Sequence, residues 1–543
     1  MLPGNFNSKV NVSLVKSVVG DPKFWCFGLA VGFPVAAASL STDGNFDFKS
    51  YHFYNGFAAF HDRRPLDIFP AHEGTTYFYG VDALYYYIFT SLNEHPTVIN
   101  VVLSVPYSVA ALALFFVARL FARPGFYCPN LLSAATAVFG LTGAATFATL
   151  ATTLSEVVPG LAILLALARW LILEKAGRNT VWTALGVGGL AGLSVGLKLT
   201  ETPLFIGMVV AIAVRYAIGK GSALWEAFAF GAAGLVVFAA VDGAWLWGNA
   251  KAYGNPIFPY LNNVFESDLI APAPWTDLRF IPKTTLMAVF YPAYWAFYPS
   301  SVVSELRMRD PRILLGCVGA AVVVLAFCGR WMHKRMAPPI GSVESLGFSL
   351  AIMFLVSYAL WEKVWSIYRY VAIQESLSGV LVLAALPIVF GSRCKPRLKS
   401  GLFALIAVAT FWMTHYPWWD RVQQGRQAIY IQLPPFEPNA IVLFLDPPPY
   451  SYLVPSMPSS ARAIGVNNGL VHPGSAGKLW SIIEATVRDH QGPLWGVEDP
   501  KDFPGVADAS LSSLGLARGG ECAPLVTNME LGQPVKICRL QRK

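Results

Sequence analysis

The sequence predicts an all-α polytopic membrane protein with about eleven transmembrane helices, followed by a small α/β C-terminal domain. Three observations carry that reading. Of 543 residues, 55% are hydrophobic and 13% charged, with mean hydropathy +0.49, whereas a soluble domain carries about 25% charged residues. Apolar runs of membrane-spanning length, about 20 residues, recur from residue 24 to residue 416. Beyond residue 417 those runs stop and short strand-like segments, turns and an amphipathic stretch replace them.

The spans fall at about 24–41, 98–121, 129–149, 157–174, 181–198, 203–219, 223–247, 312–330, 345–361, 368–391 and 400–416. Lys9, Lys16 and Lys23 precede the first, and no small-residue cleavage site follows a short apolar core, so 24–41 is expected to be a retained span. The basic residues cluster at every second loop: Arg119 and Arg123; Lys175 and Arg178; Arg215 and Lys220; Arg330, Lys334 and Arg335; Arg393, Lys395, Arg397 and Lys399. This is the positive-inside pattern. It puts the N-terminus in the cytoplasm, and an odd number of spans puts the C-terminus outside. The net charge of +8 is therefore a topology signal, and no nucleic-acid partner is expected. The glycines of "GVGGLAGLSVG" suit close helix packing.

Two non-cytoplasmic loops are long, about 42–97 and 248–311. Within the first, "GFAAFHDRR" and "GVDALYYYIFTSL" read as short amphipathic helices at the interface. In the tail, 418–543, "AIVLFLD" and "GPLWGVE" read as strands and "GSAGKLWSIIEATVRDH" as a helix. The tail cysteines, Cys522 and Cys538, flank what reads as a terminal β-hairpin. A disulfide would close it in an oxidising compartment, and two buried thiols are the alternative.

Chemistry is expected on the face that carries the long loops. The first loop holds Asp43, Asp47, Asp62, Asp67, Glu73 and Asp82. Most acids in a wet loop are simply solvated. Asp43 and Asp47 stand a few residues past the first span, where water meets the bilayer, and a carboxylate there is placed to take a proton from an aqueous substrate. Two such acids can equally hold a divalent cation. His52 and His61 show no HxxxH or HExxH spacing, so no zinc site is expected. Two cations sit at span ends: Lys198 in "GLKLTETP" and Arg369 in "WSIYRYVAIQES". Charge at the rim of a bilayer is costly and is either paired or functional. Lys198 has Glu201 as a local partner, and Arg369 has Glu362 or Glu375. The functional alternative is phosphate binding, for which the planar arginine fork is suited. In the second loop, Tyr260 and Asn262 of "YGNPIFPYLNN" could meet sugar hydroxyls, although Asn-Pro and Phe-Pro are also turn chemistry. Glu305, Arg307, Arg309, Asp310 and Arg312 read as a salt-bridged entry to the next span.

Along nearly its whole length the chain resembles the GT-C superfamily of integral-membrane glycosyltransferases, in an uncharacterised bacterial branch. The strings that carry the likeness are "FDFKSYHFYNGFAAFHDR", "GLKLT", "GNPIFPYLN", "SELRMRDPR", "SIYRYVAIQES" and the Cys-bearing tail. The resemblance implies an acid in the first outer loop acting as general base, with Asp47 matching best and Asp43 second. It implies a polyprenyl-phosphate sugar as donor; the span-end cations Arg369 and Lys198 are then the expected donor-phosphate site, and His52, Tyr54, Asn55, Tyr260, Asn262 and Tyr368 the expected substrate surface. The chain lacks the adjacent acidic pair of some GT-C families, which counts against metal dependence and weakens the choice between Asp47 and Asp43; Mg2+ or Mn2+ is the one cofactor left open. The expected activity is inverting transfer of a hexosyl or pentosyl group to a glycan, lipid or protein acceptor on the extracytoplasmic face of a bacterial inner membrane, with the tail in the periplasm. The rival expectations are a lipid-linked sugar transporter or flippase, marked by repeats and broken mid-membrane helices, and a non-catalytic envelope assembly protein.

Overall fold

A computed structural model describes residues 20–543 except 124, 335–337, 392, 448, 521 and 531–534, together with the side chain of 334. Lys9, Lys16, the Lys334 side chain and Arg335 of the topology argument lie outside the described residues.

Eleven helices occupy the expected positions: α1 (Pro22–Ala38), then after the first loop α4 (Pro96–Ala122), α5 (Pro129–Leu141), α6 (Val157–Lys175), α7 (Val181–Leu197), α8 (Thr202–Ala213), α9 (Ala223–Tyr253), α10 (Arg312–Lys334), α11 (Val343–Val364), α12 (Ala372–Phe390) and α13 (Pro396–Met413). The first loop contributes α2 (Phe53–His61) and α3 (Gly80–Ser91), as its amphipathic pattern predicts. Among the described residues, seven helical stretches are long and apolar enough to cross a membrane, and α1, α5 and α7 are shorter apolar helices. The chain is a multi-pass membrane protein. Helices α7 and α9 pack closely. A methyl group on Gly188 or Gly192 would lie 2.2 Å from the carbonyl oxygen of Phe230 or Gly234, so these glycines bring the two backbones into contact.

One span differs from expectation. The apolar run 129–149 stops being helical at Leu141, and 142–155 continues as a chain of turns. The unwound backbone has to find partners inside the protein, because lipid offers none. It finds carboxylates: Ala144 N–H donates to Asp310 Oδ2 (2.7 Å), and Ala145 and Thr146 N–H to the two oxygens of Glu375 (3.0 and 2.9 Å). A Cβ at Gly143 would overlap the Glu375 carboxyl, so this approach needs glycine. Hydropathy alone cannot distinguish a buried turn segment from a helix.

The tail carries one mixed sheet in the order β5 (Arg462–Gly465), β4 (Ile441–Phe444), β6 (Leu494–Glu498), β10 (Lys536–Arg542), β7 (Leu516–Arg518), with β8 (Ala523–Pro524) also on β10. β5, β4 and β6 run parallel, while β10 is antiparallel to β6 and β7. Helix α14 (Lys478–Asp489) buries Leu479, Trp480, Ile483 and Val487 against the sheet core. Cys522 and Cys538 form a disulfide that joins β10 to the residue before β8.

The first loop is built into the tail. Thr42 and Asp43 (β1) pair antiparallel with Val422 and Arg421 (β2). Ile68 bridges Ile464 of β5 in parallel. Arg63 forks onto Asp67 (2.9 and 2.8 Å) and also donates to the carbonyls of Ser459 and Ala461. The Asp67 carboxylate in turn takes Ala463 N–H at 2.8 Å.

Candidate active site

Between Asp47 and His52 the backbone makes a π-helical turn, Phe48–His52, with Asp47 at its start. Such turns are rare and redirect side chains. Apolar burial holds the turn down: Phe48 is fully buried and packs on Phe53 and Phe89. The Ser451 hydroxyl also holds it, directing its one proton to the adjacent carbonyls of Lys49 and Ser50. Lys49 pairs with Glu530 at 3.3 Å, and Tyr452 donates to the same carboxylate.

The turn sets Asp47 against Arg369, which lies in the short 3-10 turn Tyr368–Val371 that opens α12. Arg369 Nη1 donates to Asp47 Oδ2 at 2.8 Å, with the side chains 13% and 12% exposed. Tyr51 donates to the same oxygen at 3.0 Å. Both bonds fall on Oδ2 and neither on Oδ1. Burial alone would push the Asp47 carboxyl up. Arg369, then His52, Lys198 and the Tyr51 hydrogen bond, outweigh it and hold the group below the usual carboxylate range. Arg369 has further donors to offer: Nη2 reaches only to 3.9 Å from Glu305, and Nε is buried with no partner.

Lys198 caps the end of α7 and approaches the same place. Its ammonium lies 5.7 Å from the ring centre of Tyr370, and the Arg369 guanidinium lies 5.3 Å from that centre. Two cations thus flank one aromatic ring beside one carboxylate. The local partner of Lys198 is Glu156, at 2.5 Å, and not Glu201. Arg369 likewise pairs with neither Glu362 nor Glu375. Glu375 is occupied by Tyr368 (2.8 Å) and the 144–146 backbone. The physical reason is the unwound segment after α5, which captures Glu375, while the outer loop folds back to bring Asp47 over Arg369.

The structure separates the two acids that the sequence left together. Asp43 is fully buried. Its Oδ1 takes Asn45, and its Oδ2 takes the N–H and hydroxyl of Thr153 at 2.7 and 2.8 Å. Asp43 ties the first loop to the end of the unwound segment, and Asp47 faces the cations.

Most of the expected substrate-binding side chains spend their polar groups inside the protein. His52 Nδ1 is 2.5 Å from Asp82, Tyr54 donates to Asp67 at 3.0 Å, and Asn55 donates to Gly74 O and Asp82. Asn262 closes its own loop through Ser267, Ile270 and Ala271. Tyr368 is buried on Glu375. Tyr260 is 37% exposed and its hydroxyl meets that of Tyr77 at 2.6 Å. Tyr51, Tyr77 and Glu156 were not among the sequence candidates. Glu156 had a signal available, as an acid directly before an apolar run.

The carboxylates near Asp47 do not fit a divalent cation. Its own oxygen faces a guanidinium, and the Asp43 carboxylate is saturated. Elsewhere Glu498, Cys522 and Cys538 bring a carboxylate oxygen and two sulphurs within 4.8 Å of one another, but both sulphurs belong to the disulfide.

No protein-family model matches this chain, and no curated protein matches it. Two solved structures are similar over 93% of this chain and 72% of theirs, each at 12% identity: the oligosaccharyltransferase of Archaeoglobus fulgidus in its apo form (TM-score 0.44), and the archaeal oligosaccharyltransferase AglB of the same organism in complex with an inhibitory peptide and a dolichol-phosphate (TM-score 0.41). Likenesses at this level bear on neither the activity nor the residues of this chain.

Proposed function

We propose that the protein is an inverting membrane glycosyltransferase that moves a hexosyl or pentosyl group from a polyprenyl-phosphate sugar to an acceptor hydroxyl, with Asp47 as general base. The observation that carries this reading is the Asp47–Arg369 pair at 2.8 Å, beside Lys198, at the junction of the first loop with the spans. A lipid-borne phosphate arriving from the bilayer meets two cations there, and an acceptor arriving from water meets a carboxylate. Asp47 Oδ1 takes the acceptor proton, the acceptor oxygen attacks the anomeric carbon from the face opposite the leaving group, and the C–O bond to phosphate breaks. Arg369 and Lys198 hold the departing phosphate, the kind of charge stabilisation that often dominates catalysis.

The pair also supplies an order of events. With Arg369 on Asp47 the carboxylate is a weak base, since its proton affinity is depressed. A phosphate competes for the guanidinium fork. Once Arg369 turns to the phosphate, Asp47 loses its main stabilising charge and becomes a stronger base only when donor is present. In this reading the chain sits in a bacterial inner membrane with its N-terminus in the cytoplasm and residues 418–543 as a periplasmic domain, and the acceptor is a glycan, lipid or protein.

The test is transfer by the purified protein from radiolabelled polyprenyl-phosphate sugars to an envelope-derived acceptor fraction. Wild type transfers label and Asp47→Asn does not. Movement of the labelled lipid across vesicles by both forms, with no transfer by either, makes the protein a flippase and removes the reading.

A further inference from the structure

The parallel part of the tail sheet has the spatial order β5-β4-β6. The chain leaves β4 for its neighbour on one side and then crosses to the other side, so the winding reverses between β4 and β6. In sheets of this order, ligands seat outside the carboxyl ends of the two strands that flank the reversal. Here those ends carry two acids. Asp446 lies two residues past Phe444, the last of β4, and Asp499 directly follows Glu498, the last of β6. Both are buried, at 1% and 4% exposure.

The two acids are neighbours, since the backbone N–H of Asp499 donates to Asp446 Oδ2 at 2.5 Å. Among the described residues the Asp499 side chain takes the backbone N–H groups of Lys501 and Asp502. Among the described residues no lysine or arginine pairs with either acid. The nearby Arg518 is spent on Glu498 and Asp508. Buried charge without compensation is expensive. Among the described residues two oxygens here are left without a partner. Asp446 Oδ1 is buried with no partner, and so is the hydroxyl of Tyr450, whose ring rests on Phe444 at 5.8 Å and which lies within electrostatic reach of both Asp446 and Asp499.

We propose that the carboxyl ends of β4 and β6 hold a hard divalent cation of the Mg2+ or Ca2+ kind. Asp446 and Asp499 supply carboxylate oxygens, Tyr450 bonds an ion-bound water, and further water completes the shell, as these all-oxygen cations prefer. The site is separate from the proposed transfer chemistry but is joined to it. Tyr450 is followed by Ser451, which holds the π-turn carbonyls of Lys49 and Ser50, and by Tyr452, which holds Glu530 against Lys49. The cation therefore braces the segment that grips the turn starting at Asp47.

The experiment is thermal unfolding of the full-length detergent-purified protein after chelation, titrated with Mg2+ or Ca2+ at constant ionic strength. Wild type gains melting temperature saturably, with a half-point of about 0.1–1 mM, the range of exposed extracellular Ca2+ modules. Asp446→Asn keeps the shape and moves the half-point up by about tenfold or more, while Asp47→Asn responds as wild type does. If Asp446→Asn does not fold, Asp499→Asn and equilibrium dialysis of Ca2+ against wild type give the same reading. The proposal is overturned by no divalent-specific gain in wild type, or by an unaltered gain in Asp446→Asn and Asp499→Asn. Stabilisation by acid alone also overturns it, because Asp446 would then be a neutral acid donating a hydrogen bond.

Discussion

Replacing Asp47 by Asn should separate binding from chemistry in opposite directions. The substitution conserves shape and removes the charge that occupies Arg369 in the ligand-free protein. Loss of a general base costs about 100-fold or more in the transfer step, or about 2.7 kcal/mol of barrier. Donor binding should improve. A hydrogen bond to a charged group contributes about 1.5–3 kcal/mol when fully desolvated. With 12–13% of each side chain exposed and Tyr51 still in place, the lower end applies, and a donor phosphate relieved of that competition gains about tenfold in affinity. The assay pairs single-turnover transfer at saturating donor with equilibrium binding of a polyprenyl phosphate, followed by intrinsic tryptophan fluorescence. A fall in donor affinity in Asp47→Asn comparable to that in Arg369→Ala would refute the reasoning, since it would mean that Asp47 helps to bind the phosphate and does not compete with it.

Four further outcomes follow from the same geometry. Arg369→Lys keeps the charge but loses the fork, so donor affinity falls with little change in melting temperature, whereas Arg369→Ala lowers both. Asp43→Asn sets an amide against the Thr153 donors and lowers stability by about 1.5–3 kcal/mol, while the folded fraction keeps its transfer rate. The folded pKa of Asp47 is depressed, so its contribution to stability is present above its unfolded value, about 3.9, and is lost as pH falls from there through the folded value; acid unfolding curves of wild type and Asp47→Asn should converge below that window. The Cys522→Ser, Cys538→Ser double variant, which opens a crosslink between residues 16 apart, loses about 3 kcal/mol in the chain-entropy view, read by denaturant unfolding of the tail.

Much of this architecture was legible because membrane helices advertise themselves by length and apolarity, and the amphipathic pattern of "GFAAFHDRR" and "GVDALYYYIFTSL" marked α2 and α3. The run 129–149 misled because burial in protein and burial in lipid demand the same apolar composition. The unwound segment 142–155 is held by carboxylates distant in sequence, Glu375 some 230 residues away, Asp310 and Asp43, which no local pattern shows. At the candidate site, residue type pointed to Asp47, Arg369 and Lys198, but their pairing was hidden. Local spacing favours Glu362 or Glu375 for Arg369 and Glu201 for Lys198. The fold instead supplies Asp47 from 322 residues away and Glu156 from 42 residues away. The sequence ranked Asp47 ahead of Asp43 but did not show their separate surroundings, because the two stand only four positions apart; the π-turn begins directly after Asp47, which faces Arg369, while Asp43 is tied inward to Thr153.

The most direct measurement of the central claim is a structure of the purified protein bound to a polyprenyl phosphate. The account predicts phosphate oxygens within hydrogen-bond distance of Arg369 and Lys198, with Arg369 released from Asp47. A bound phosphate elsewhere on the protein, with the 2.8 Å pair between Arg369 and Asp47 intact, would contradict it.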